Sequence, residues 1–311
     1  MRAKKLNPIL IVAGPTASGK SNFALAAAHK FDGVIINCDA MQVYRELRII
    51  SARPSEEDEA KAPHKLYGLI PASQSCSVGV WRELAVLEIE ACWNAGKLPI
   101  ITGGTGLYIK SLMEGLTEIP DVSPEIRAEA TTRLGEVGAT AFHRELSKFD
   151  PVSAKRLNPA DSQRVIRAFE IYLGTNRCLS DWHANGPTTQ PLKALYQMVI
   201  FEPPRAELYA KCESRFDLMI ANGALEEVDA LRGLHLCPTL PAMKALGVQE
   251  LISYLNGDLP LEVAFLAAQQ ATRRYAKRQL TWFRNQITQN NRIYAQYSES
   301  LLEEIFSNIS I

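Results

Sequence analysis

A glycine-rich segment near the N-terminus has the residue types and the spacing of a phosphate-binding loop. The run Gly14-Pro-Thr-Ala-Ser-Gly-Lys-Ser21 fits the Walker A pattern, GxxxxGK followed by Ser or Thr. Its glycines let successive backbone N–H groups point inward, and Lys20 supplies a positive charge between phosphates. The Ser21 hydroxyl can ligate Mg²⁺, which makes Mg²⁺ the expected cofactor. We therefore predict a polyphosphate-binding loop made of Gly14, Pro15, Thr16, Ala17, Ser18, Gly19, Lys20 and Ser21.

An acidic residue, Asp39, follows the apolar run 33–38. An ATPase normally carries an acid at the end of a buried strand, where it holds Mg²⁺ and positions water. The apolar run 98–101 instead leads into Thr102-Gly-Gly-Thr-Gly106, which contains no acid. A carboxylate near a bound diphosphate can take a proton from a nucleophile that attacks the diphosphate-bearing carbon. Asp39 is therefore a candidate general base, with a helix N-cap or an outer Mg²⁺ ligand as open alternatives.

The elements around these residues predict how they meet. The apolar run 8–13 predicts a strand before the loop, the alanine-rich segment 22–31 predicts a helix after it, and 194–201 predicts a returning strand. Strands that alternate with helices indicate an α/β fold with a doubly wound parallel sheet. In such a sheet the carboxyl ends of the strands surround one crevice. We therefore expect the phosphate loop, Asp39 and Thr105 to converge on one pocket.

Charge is balanced overall but not along the chain. The 34 Lys and Arg residues equal the 34 Asp and Glu residues, which excludes a protein that holds nucleic acid by its net charge. Segment 263–298, however, contains no acid at all. Its cations and large aromatic residues include Arg273, Arg274, Tyr275, Lys277, Arg278, Trp282, Phe283, Arg284 and Arg292. Cations for phosphates and aromatic faces for bases predict contact with a flipped or single-stranded nucleotide, with a solvated surface helix as the alternative.

Two segments with Pro and Gly or Ser, 119–124 and 185–191, divide the chain. Between them the hydrophobic pattern predicts helices over 125–137, 139–149 and 161–173. We therefore predict a core of residues 1–118 and 192–311, interrupted by a mainly helical insert of residues 119–191. Gln163-Arg-Val-Ile-Arg167 gives this insert a basic patch of its own.

Several other classes of protein are not expected. No run of eighteen apolar residues occurs, so a membrane span is not expected. The six cysteines form no CxxC pair, and the five histidines have no ligand spacing with them, so a zinc site is not expected. We predict a cytoplasmic protein with reduced cysteines.

Five segments together resemble the bacterial tRNA dimethylallyltransferase family, the isopentenyl-tRNA or IPP transferases. The segments are 14–21, 39–44, 102–108, 161–167 and 272–284, in the family's order. The resemblance implies a P-loop core with a helical insert. It implies transfer of a dimethylallyl group from dimethylallyl diphosphate to N6 of the adenosine immediately 3′ of the anticodon. It also implies a monomer whose insert packs over the tRNA anticodon stem-loop, and it explains a P-loop without an ATPase acid, since the loop holds a diphosphate leaving group.

The resemblance implies roles for individual residues. Asp39 would accept the N6 proton, Thr16 would hydrogen-bond the oxygen that joins diphosphate to carbon, and Arg215 would neutralise the diphosphate. For Thr16 a bond to its own loop backbone stays open, and for Arg215 a surface ion pair. The tRNA-contacting residues would be Asp39, Ala40, Met41, Gln42, Thr105, Arg127, Gln163, Arg164, Val165, Ile166 and Arg167, to which the basic stretch adds Arg274, Lys277 and Arg278.

Further expectations concern the surrounding segments. Arg205 and Arg215 are expected on one helix that continues to Glu227. The Gln42 amide can read a base edge. Ile50 stands where the family commonly has glycine, which adds bulk and forbids an easy positive φ. Ala40 replaces a common serine, which removes one hydrogen bond near the acceptor base.

Three rival functions stay open. The first is a P-loop small-molecule kinase, which does not account for the acid-free basic and aromatic segment. The second is an adenylate isopentenyltransferase, against which the insert and the basic stripe argue. The third is a non-catalytic RNA-binding NTPase, which ATP turnover without prenyl transfer would favour.

Overall fold

The computed structural model describes residues 6–288 and 291–311, and it divides the chain into two compact units. The first unit comprises Met1–Leu112 and Lys193–Ile311, and the second comprises Met113–Leu192. The sequence placed the insert at 119–191, so the compact unit begins six residues earlier and ends one residue later. Within the described residues, no helix is both long enough and apolar enough to cross a membrane.

The first unit is built on one parallel sheet. Its strands among the described residues are β1 (Pro8–Ala13), β2 (Gly33–Asn37), β3 (His64–Lys65), β4 (Leu98–Gly103), β5 (Leu195–Phe201) and β6 (Arg292–Ile293). Their order across the sheet is β3-β2-β4-β1-β5-β6, and every neighbouring pair is parallel. The prediction of a doubly wound parallel sheet is therefore confirmed.

Strand β1 lies at the centre of this sheet, where Leu10 faces Ile100 of β4 on one side and Gln197 of β5 on the other. Residues 9–13 are completely buried, as expected for a strand that is covered on both faces. From β1 the chain moves first to one side of the sheet and later to the other. The crevice at the carboxyl ends of β1 and β4 is therefore the switch point where ligands bind in such sheets.

The helices of the first unit cover the sheet and the crevice. They are α1 (Lys20–Lys30), α2 (Glu56–Lys61), α3 (Val78–Asn94), α4 (Gly106–Glu114, which runs just past the boundary), α9 (Arg205–Ala221), α10 (Ala224–Gly233), α11 (Val248–Leu255), α12 (Leu261–Gln286) and α13 (Leu302–Ser307). Short 3-10 turns occur at Ala242–Lys244 and Glu299–Leu301. The predicted helix after the phosphate loop, 22–31, lies within two residues of α1.

One predicted helix is wrong. The segment from Arg205 to Glu227 is not continuous, because α9 ends at Ala221 and α10 begins at Ala224. Gly223 has a φ of 97°, in the left-handed region that a glycine adopts without steric cost. The turn redirects the chain, so Glu227 lies on a different helix from Arg215.

The second unit is a small helical domain with its own core. Its helices are α5 (Pro124–Phe149), α6 (Pro151–Arg156), α7 (Ser162–Thr175) and α8 (Leu179–Ala184). Gly138, with a φ of 75°, interrupts α5 where two helices were predicted. The rings of Phe142 and Phe169 stack at 4.0 Å in the core. Leu116 and Thr189 form an antiparallel bridge between the two ends of the unit.

Candidate active site

The phosphate loop joins β1 to α1 in a conformation that requires two of its glycines. Gly14 has a φ of 150°, and a Cβ there would lie 2.7 Å from the Phe201 carbonyl oxygen. Gly19 has a φ of 85°, and a Cβ there would lie 2.5 Å from the Tyr297 Cβ. Both close approaches exclude any side chain. The glycine spacing of the sequence pattern thus follows from packing as well as from backbone torsion.

Two glutamines hold the loop from outside. The Thr16 N–H donates to Gln279 Oε1 at 2.8 Å, and Gln279 Nε2 donates to the Gly104 carbonyl at 2.9 Å. Gln296 Nε2 donates to the Ala17 carbonyl at 2.6 Å. Ala17 has a φ of 64°, a strained conformation for a residue with a side chain, which persists only where neighbours enforce it. Sequence reasoning singled out neither glutamine.

Two cations face the loop. Lys20 Nζ donates to the Pro15 carbonyl at 3.2 Å, and Arg215 of α9 donates to the Thr16 hydroxyl through Nη2. Burial lowers the pKa of Lys20 to about 8, although the negative charge of Asp39 opposes this shift. Burial also lowers the pKa of Arg215. The Thr16 hydroxyl accepts this bond, and among the described residues it makes no bond to its own loop backbone.

Asp39 is fixed by a buried residue that sequence reasoning missed. Asn37, at the end of β2, is fully buried; its Oδ1 accepts the Asp39 N–H at 2.8 Å and its Nδ2 donates to the Asp39 carbonyl at 3.0 Å. Asp39 Oδ1 accepts the Met41 N–H at 2.9 Å, and Oδ2 has no hydrogen-bond partner among the described residues. Asp39 therefore closes a turn and caps no helix, because the next helix begins at Glu56.

Thr105 contributes to the same turn from the end of β4. Its hydroxyl oxygen accepts the Ala40 N–H at 3.0 Å, which links the segment after β2 to the segment after β4. The phosphate loop, Asp39 and Thr105 are brought to one edge of the sheet, as the parallel topology requires.

Two cavities meet at these residues. One cavity of about 410 Å³ lies over the phosphate loop and includes Lys20, Ser21 and Lys211 in its lining. The other, of about 220 Å³, is more apolar and includes Phe216 and Tyr275. The residues that line both are Thr16, Asp39, Ser51 and Arg215. A phosphate ligand in one cavity and an acceptor in the other would meet at the candidate base.

Lys211 is a further cation of the phosphate cavity that was not anticipated. It precedes Arg215 by four residues, so both side chains lie on one face of α9. The i,i+4 spacing from Arg215 could have identified Lys211 in the sequence, because side chains one helical turn apart face the same side.

Acidic residues of other elements form ion pairs with arginines of segment 263–298, the acid-free stretch. Arg273 pairs with Glu213, while Arg284 and Arg292 both pair with the buried Glu202. The absence of acids from the sequence of segment 263–298 therefore does not leave these three arginines without acidic partners. Three exposed residues of α12 have no acidic partner within the described part of the chain, and we call them the basic face: Arg274, Lys277 and Arg278.

The aromatic residues of this stretch differ in their positions. Phe283 is buried in the core, and Trp282 packs so closely on Gly106 that a Cβ there would lie 2.1 Å from its ring. Phe283 is therefore not available to stack on a base, which corrects the expectation for that residue, whereas Trp282 is half-buried. Tyr275 lines the apolar cavity, and the Arg278 guanidinium lies 5.6 Å from the centre of its ring.

Gln42 and Ile50 also differ from expectation. Gln42 Nε2 donates to the Ser51 and Ala52 carbonyls at 3.0 and 2.7 Å, so its two amide hydrogens hold a loop and are not free to read a base. The positive φ of this loop, 55°, falls on Ala52. Ile50 thus carries no backbone strain, and its bulk lines the apolar cavity.

In the second unit, the predicted tRNA-contacting residues separate into two groups. Gln163 and Arg164 are exposed. Val165 is buried in the unit's core and Ile166 packs against it, because both lie on the inner face of α7. Val165 therefore cannot contact tRNA, which corrects that prediction.

Arg127 and Arg167 of the second unit share one acid. Both pair with Glu170, at 3.0 and 3.3 Å, and the Glu170 side chain is only 4% exposed. The arginine side chains remain 57% and 37% exposed. The acid holds both guanidinium groups in place while leaving part of each open to a ligand.

The lowered pKa of Lys20 predicts a pH dependence of diphosphate binding. Lys20 attracts an anion only while protonated, and in the free protein it loses its proton as pH rises through about 8. Affinity for inorganic pyrophosphate should therefore fall by about tenfold per pH unit above that value. Calorimetric titration over this range measures the effect. Lys20→Met should bind more weakly than the wild type while Lys20 is protonated, and the difference should shrink as pH rises above about 8. An equal pH dependence in both proteins contradicts the assignment.

Two family models match the chain. A model described as IPP transferase matches residues 42–286, and one described as isopentenyl transferase matches residues 7–70. A tRNA dimethylallyltransferase from Paramagnetospirillum magneticum is 48% identical over 302 residues, covering 97% of this chain and 96% of that protein. Another from Rhodospirillum centenum is 50% identical over 280 residues, covering 90% and 89%.

Solved structures agree with this similarity. A tRNA delta(2)-isopentenylpyrophosphate transferase from Staphylococcus epidermidis superposes with a TM-score of 0.69 at 33% identity, covering 98% of each chain. A eukaryotic dimethylallyltransferase that was solved acting on tRNA superposes with a TM-score of 0.70 at 25% identity. That alignment covers 89% of this chain and 70% of the other.

Proposed function

The chain belongs to the IPP transferase family, and from that premise we propose that it is a tRNA prenyltransferase. It moves a dimethylallyl group from dimethylallyl diphosphate to N6 of the adenosine that follows the anticodon. The observation that carries the proposal is the junction of the two cavities, which Thr16, Asp39 and Arg215 line together. A leaving diphosphate on one side and an adenine amine on the other meet there.

The protein's first contribution is to stabilise the leaving group. As the carbon–oxygen bond breaks, negative charge grows on the bridging oxygen and the diphosphate. We assign the Thr16 hydroxyl and the Arg215 guanidinium, which are bonded to each other, to that oxygen. Lys20, Lys211 and the loop N–H groups face the phosphates. Donors held in place before reaction cost no reorganisation when the charge develops.

The second contribution is to activate the amine. The lone pair of an exocyclic adenine amine is delocalised into the ring, so the amine attacks poorly unless its proton is removed. The nitrogen–carbon bond forms as the carbon–oxygen bond breaks, and Asp39 Oδ2 takes the N6 proton. Asn37 fixes the Asp39 backbone, and the Met41 N–H donates to Oδ1 of the carboxylate, which leaves Oδ2 for this proton.

We propose Mg²⁺ as the cofactor of the phosphate cavity. The Ser21 hydroxyl is exposed and lines this cavity, and a hydroxyl oxygen is a ligand type that Mg²⁺ accepts. No cluster of three or more His, Cys, Asp or Glu residues suited to a metal exists among the described residues, which fits an ion held by Ser21 and substrate phosphates. When bound, Mg²⁺ neutralises part of the diphosphate charge.

For tRNA, we propose that the basic face of α12 contacts backbone phosphates and that Tyr275 contacts the extruded adenosine. An adenosine in a stacked loop must leave the stack to reach Asp39, and an aromatic face at the cavity compensates for lost stacking. In the second unit, Arg127, Arg164 and Arg167 are the exposed cations that we assign to the anticodon stem-loop.

The basic face yields a prediction. Changing Arg274, Lys277 and Arg278 together to glutamine should weaken the binding of every tRNA, whatever its sequence. The slope of the logarithm of the binding constant against the logarithm of the salt concentration should become shallower by about 2 to 3. Filter binding at several salt concentrations measures both quantities. Pyrophosphate affinity should not change. A Lys30→Gln variant, which removes an exposed charge at the far end of α1, is the control; equal slopes in both variants would contradict the assignment.

The function is tested by incubating the protein and Mg²⁺ with labelled dimethylallyl diphosphate and unmodified tRNA, and in parallel reactions that contain AMP or ATP. Label on the adenosine after the anticodon supports the proposal. Label on free AMP would instead indicate an adenylate isopentenyltransferase. ATP turnover without label transfer would indicate an NTPase, and phosphate transfer to a small molecule a kinase.

We further propose that the protein acts as a monomer in the cytoplasm. All six cysteines are free thiols, which suits a reducing compartment. Size-exclusion chromatography with light scattering tests the first statement.

A further inference from the structure

The two halves of the proposed reaction are assigned to different loops. Thr16 lies in the loop after β1 and is assigned to the leaving oxygen, whereas Asp39 lies after β2 and is assigned to the amine. Both must act together, because the nitrogen–carbon bond forms as the carbon–oxygen bond breaks. A misplacement of about 1 Å between groups that act together can lower a rate by about 10²-fold. The distance between these two loops therefore has to be fixed by other parts of the fold.

The side-chain amide of Gln279 lies between the phosphate loop and the end of β4. Its Oε1 accepts the Thr16 N–H at 2.8 Å, and its Nε2 donates to the Gly104 carbonyl at 2.9 Å. A Cβ at Gly104 would overlap Nε2, so this approach requires a glycine. Gln279 is buried and lines neither cavity. Its amide therefore acts on the two loops and not on a ligand in either cavity.

The end of β4 continues this link to the candidate base. Thr105, the residue after Gly104, is bonded to the backbone on both sides of Asp39. The carbonyl before Asp39 accepts the Thr105 N–H at 3.1 Å, and the N–H after Asp39 donates to the Thr105 hydroxyl at 3.0 Å. A connected series of contacts thus runs from Thr16 through the amide of Gln279 to the segment that carries Asp39.

Thr16 is held at two points. Its N–H donates to Gln279, and its hydroxyl accepts from Arg215. Because the N–H is already used, it is not free to bind a phosphate oxygen. The bond to Gln279 fixes the backbone of Thr16, and the bond to Arg215 fixes its side chain. Loss of the backbone bond would let Thr16 move while Lys20 and Ser21 still face the phosphates.

We propose that Gln279 is a positioning residue of the transfer reaction, which sets the distance between Thr16 and Asp39. This inference rests on the proposed function and adds a residue to the same site. Gln279 lies one helical turn after Tyr275 on α12, and we assign Tyr275 to the extruded adenosine. One rigid helix thus carries a contact for the acceptor and the hydrogen bonds that hold the donor loop.

The first test replaces Gln279 with methionine, which keeps the length of the side chain and removes both hydrogen bonds. The single-turnover rate of transfer from labelled dimethylallyl diphosphate to bound tRNA should fall by about 10²-fold. Affinity for inorganic pyrophosphate, measured by calorimetric titration, should change little, because Lys20, Lys211 and Ser21 are untouched. A role in holding the loop merely folded would lower both quantities together.

Gln269→Met is the matched control on the same helix. Gln269 is also a buried amide of α12, its Nε2 donates to Asp217 Oδ1 at 3.0 Å, and it lines neither cavity. Its replacement likewise removes a buried hydrogen bond, but one that does not reach Thr16. This variant should keep the wild-type transfer rate. Thermal unfolding of both variants shows how much stability each one loses.

A double-mutant cycle with Thr16→Val tests whether Gln279 acts through Thr16. Valine keeps the shape of the side chain and removes the hydroxyl, so there is no longer a hydroxyl for Gln279 to place. In that background the loss caused by Gln279→Met should shrink below about tenfold, whereas independent effects would multiply unchanged. Gln279→Glu serves if Gln279→Met does not fold. The ionised glutamate accepts the Thr16 N–H but has no hydrogen for the Gly104 carbonyl, so it should show the same coupling with a smaller loss.

Three results overturn the inference. The first is an equal loss of transfer rate in Gln279→Met and Gln269→Met. The second is a fall in pyrophosphate affinity as large as the fall in rate. The third is an undiminished effect of the Gln279 substitution in the Thr16→Val background. Failure of the proposed function is distinguishable from all three, because the wild type would then transfer no label to tRNA.

Discussion

Replacing Asp39 with asparagine is expected to slow prenyl transfer by about 10²–10⁴-fold, the usual contribution of a positioned general base. The amide keeps the shape of the side chain, and its oxygen can still accept the Met41 N–H that closes the turn. In the proposed mechanism the substitution removes the ability of Oδ2 to take the N6 proton. The loss should therefore appear in single-turnover rates with bound tRNA.

Binding measurements separate this role from a structural one. Because Asn37 and Thr105 hold the turn through backbone groups, the turn should survive the substitution, and affinity for tRNA should change little. Equal losses in transfer rate and in tRNA affinity would exclude Asp39 as the general base. They would instead assign it to acceptor binding.

Replacing Arg215 with methionine is expected to lower kcat by about 10²–10³-fold, the range found when a fixed donor to a developing oxyanion is removed. Arg215 is bonded to the Thr16 hydroxyl. In the proposed mechanism this hydroxyl contacts the bridging oxygen, so the charge of Arg215 would act where negative charge grows as the bond breaks. Methionine preserves most of the packing of the arginine stem. Steady-state kinetics with dimethylallyl diphosphate and tRNA measures the loss.

Arg205 provides the matched control on the same helix. It is exposed at the first position of α9 and lines neither cavity. Arg205→Met should retain wild-type kcat. If the two variants lose activity equally, the effect comes from the charge of α9 as a whole, and the specific role of Arg215 is wrong.

Much of the first unit was predictable because its signals are local. The strand before the loop, the glycine spacing and the start of α1 follow from residues within about two dozen positions of one another. Asp39 could be identified because an acid directly follows an apolar strand, and parallel strands end on one edge of the sheet. The division at Gly138 was likewise visible in the order of helix-forming residues.

Other features depended on contacts between distant segments. Gln279 bonds Thr16 across 263 positions, and Glu227 bonds Arg48 across 179. No local pattern distinguishes these polar residues from other polar residues on helices. The break at Gly223 changed which helix carries Glu227, and with it the element that supports the loop of Ile50.

The charge distribution, too, was only partly predictable from the sequence. Counting residues along the chain identified the acid-free stretch, but it could not show that Glu202 and Glu213 fold back onto three of its arginines. Ion pairs depend on distances in space, whereas a sequence count gives distances along the chain. The cations that remain for a polyanion were therefore known only after the fold was known.

The sequence alone thus determined the phosphate loop, the parallel sheet around it and the candidate base, because short-range torsional and hydrophobic preferences specify each of them. The tertiary structure decided which side chains complete the site: Asn37 behind Asp39, Gln279 behind Thr16, and Ile50 in the wall of the apolar cavity. Those positions follow from how separate elements pack, and packing is a property of the whole fold.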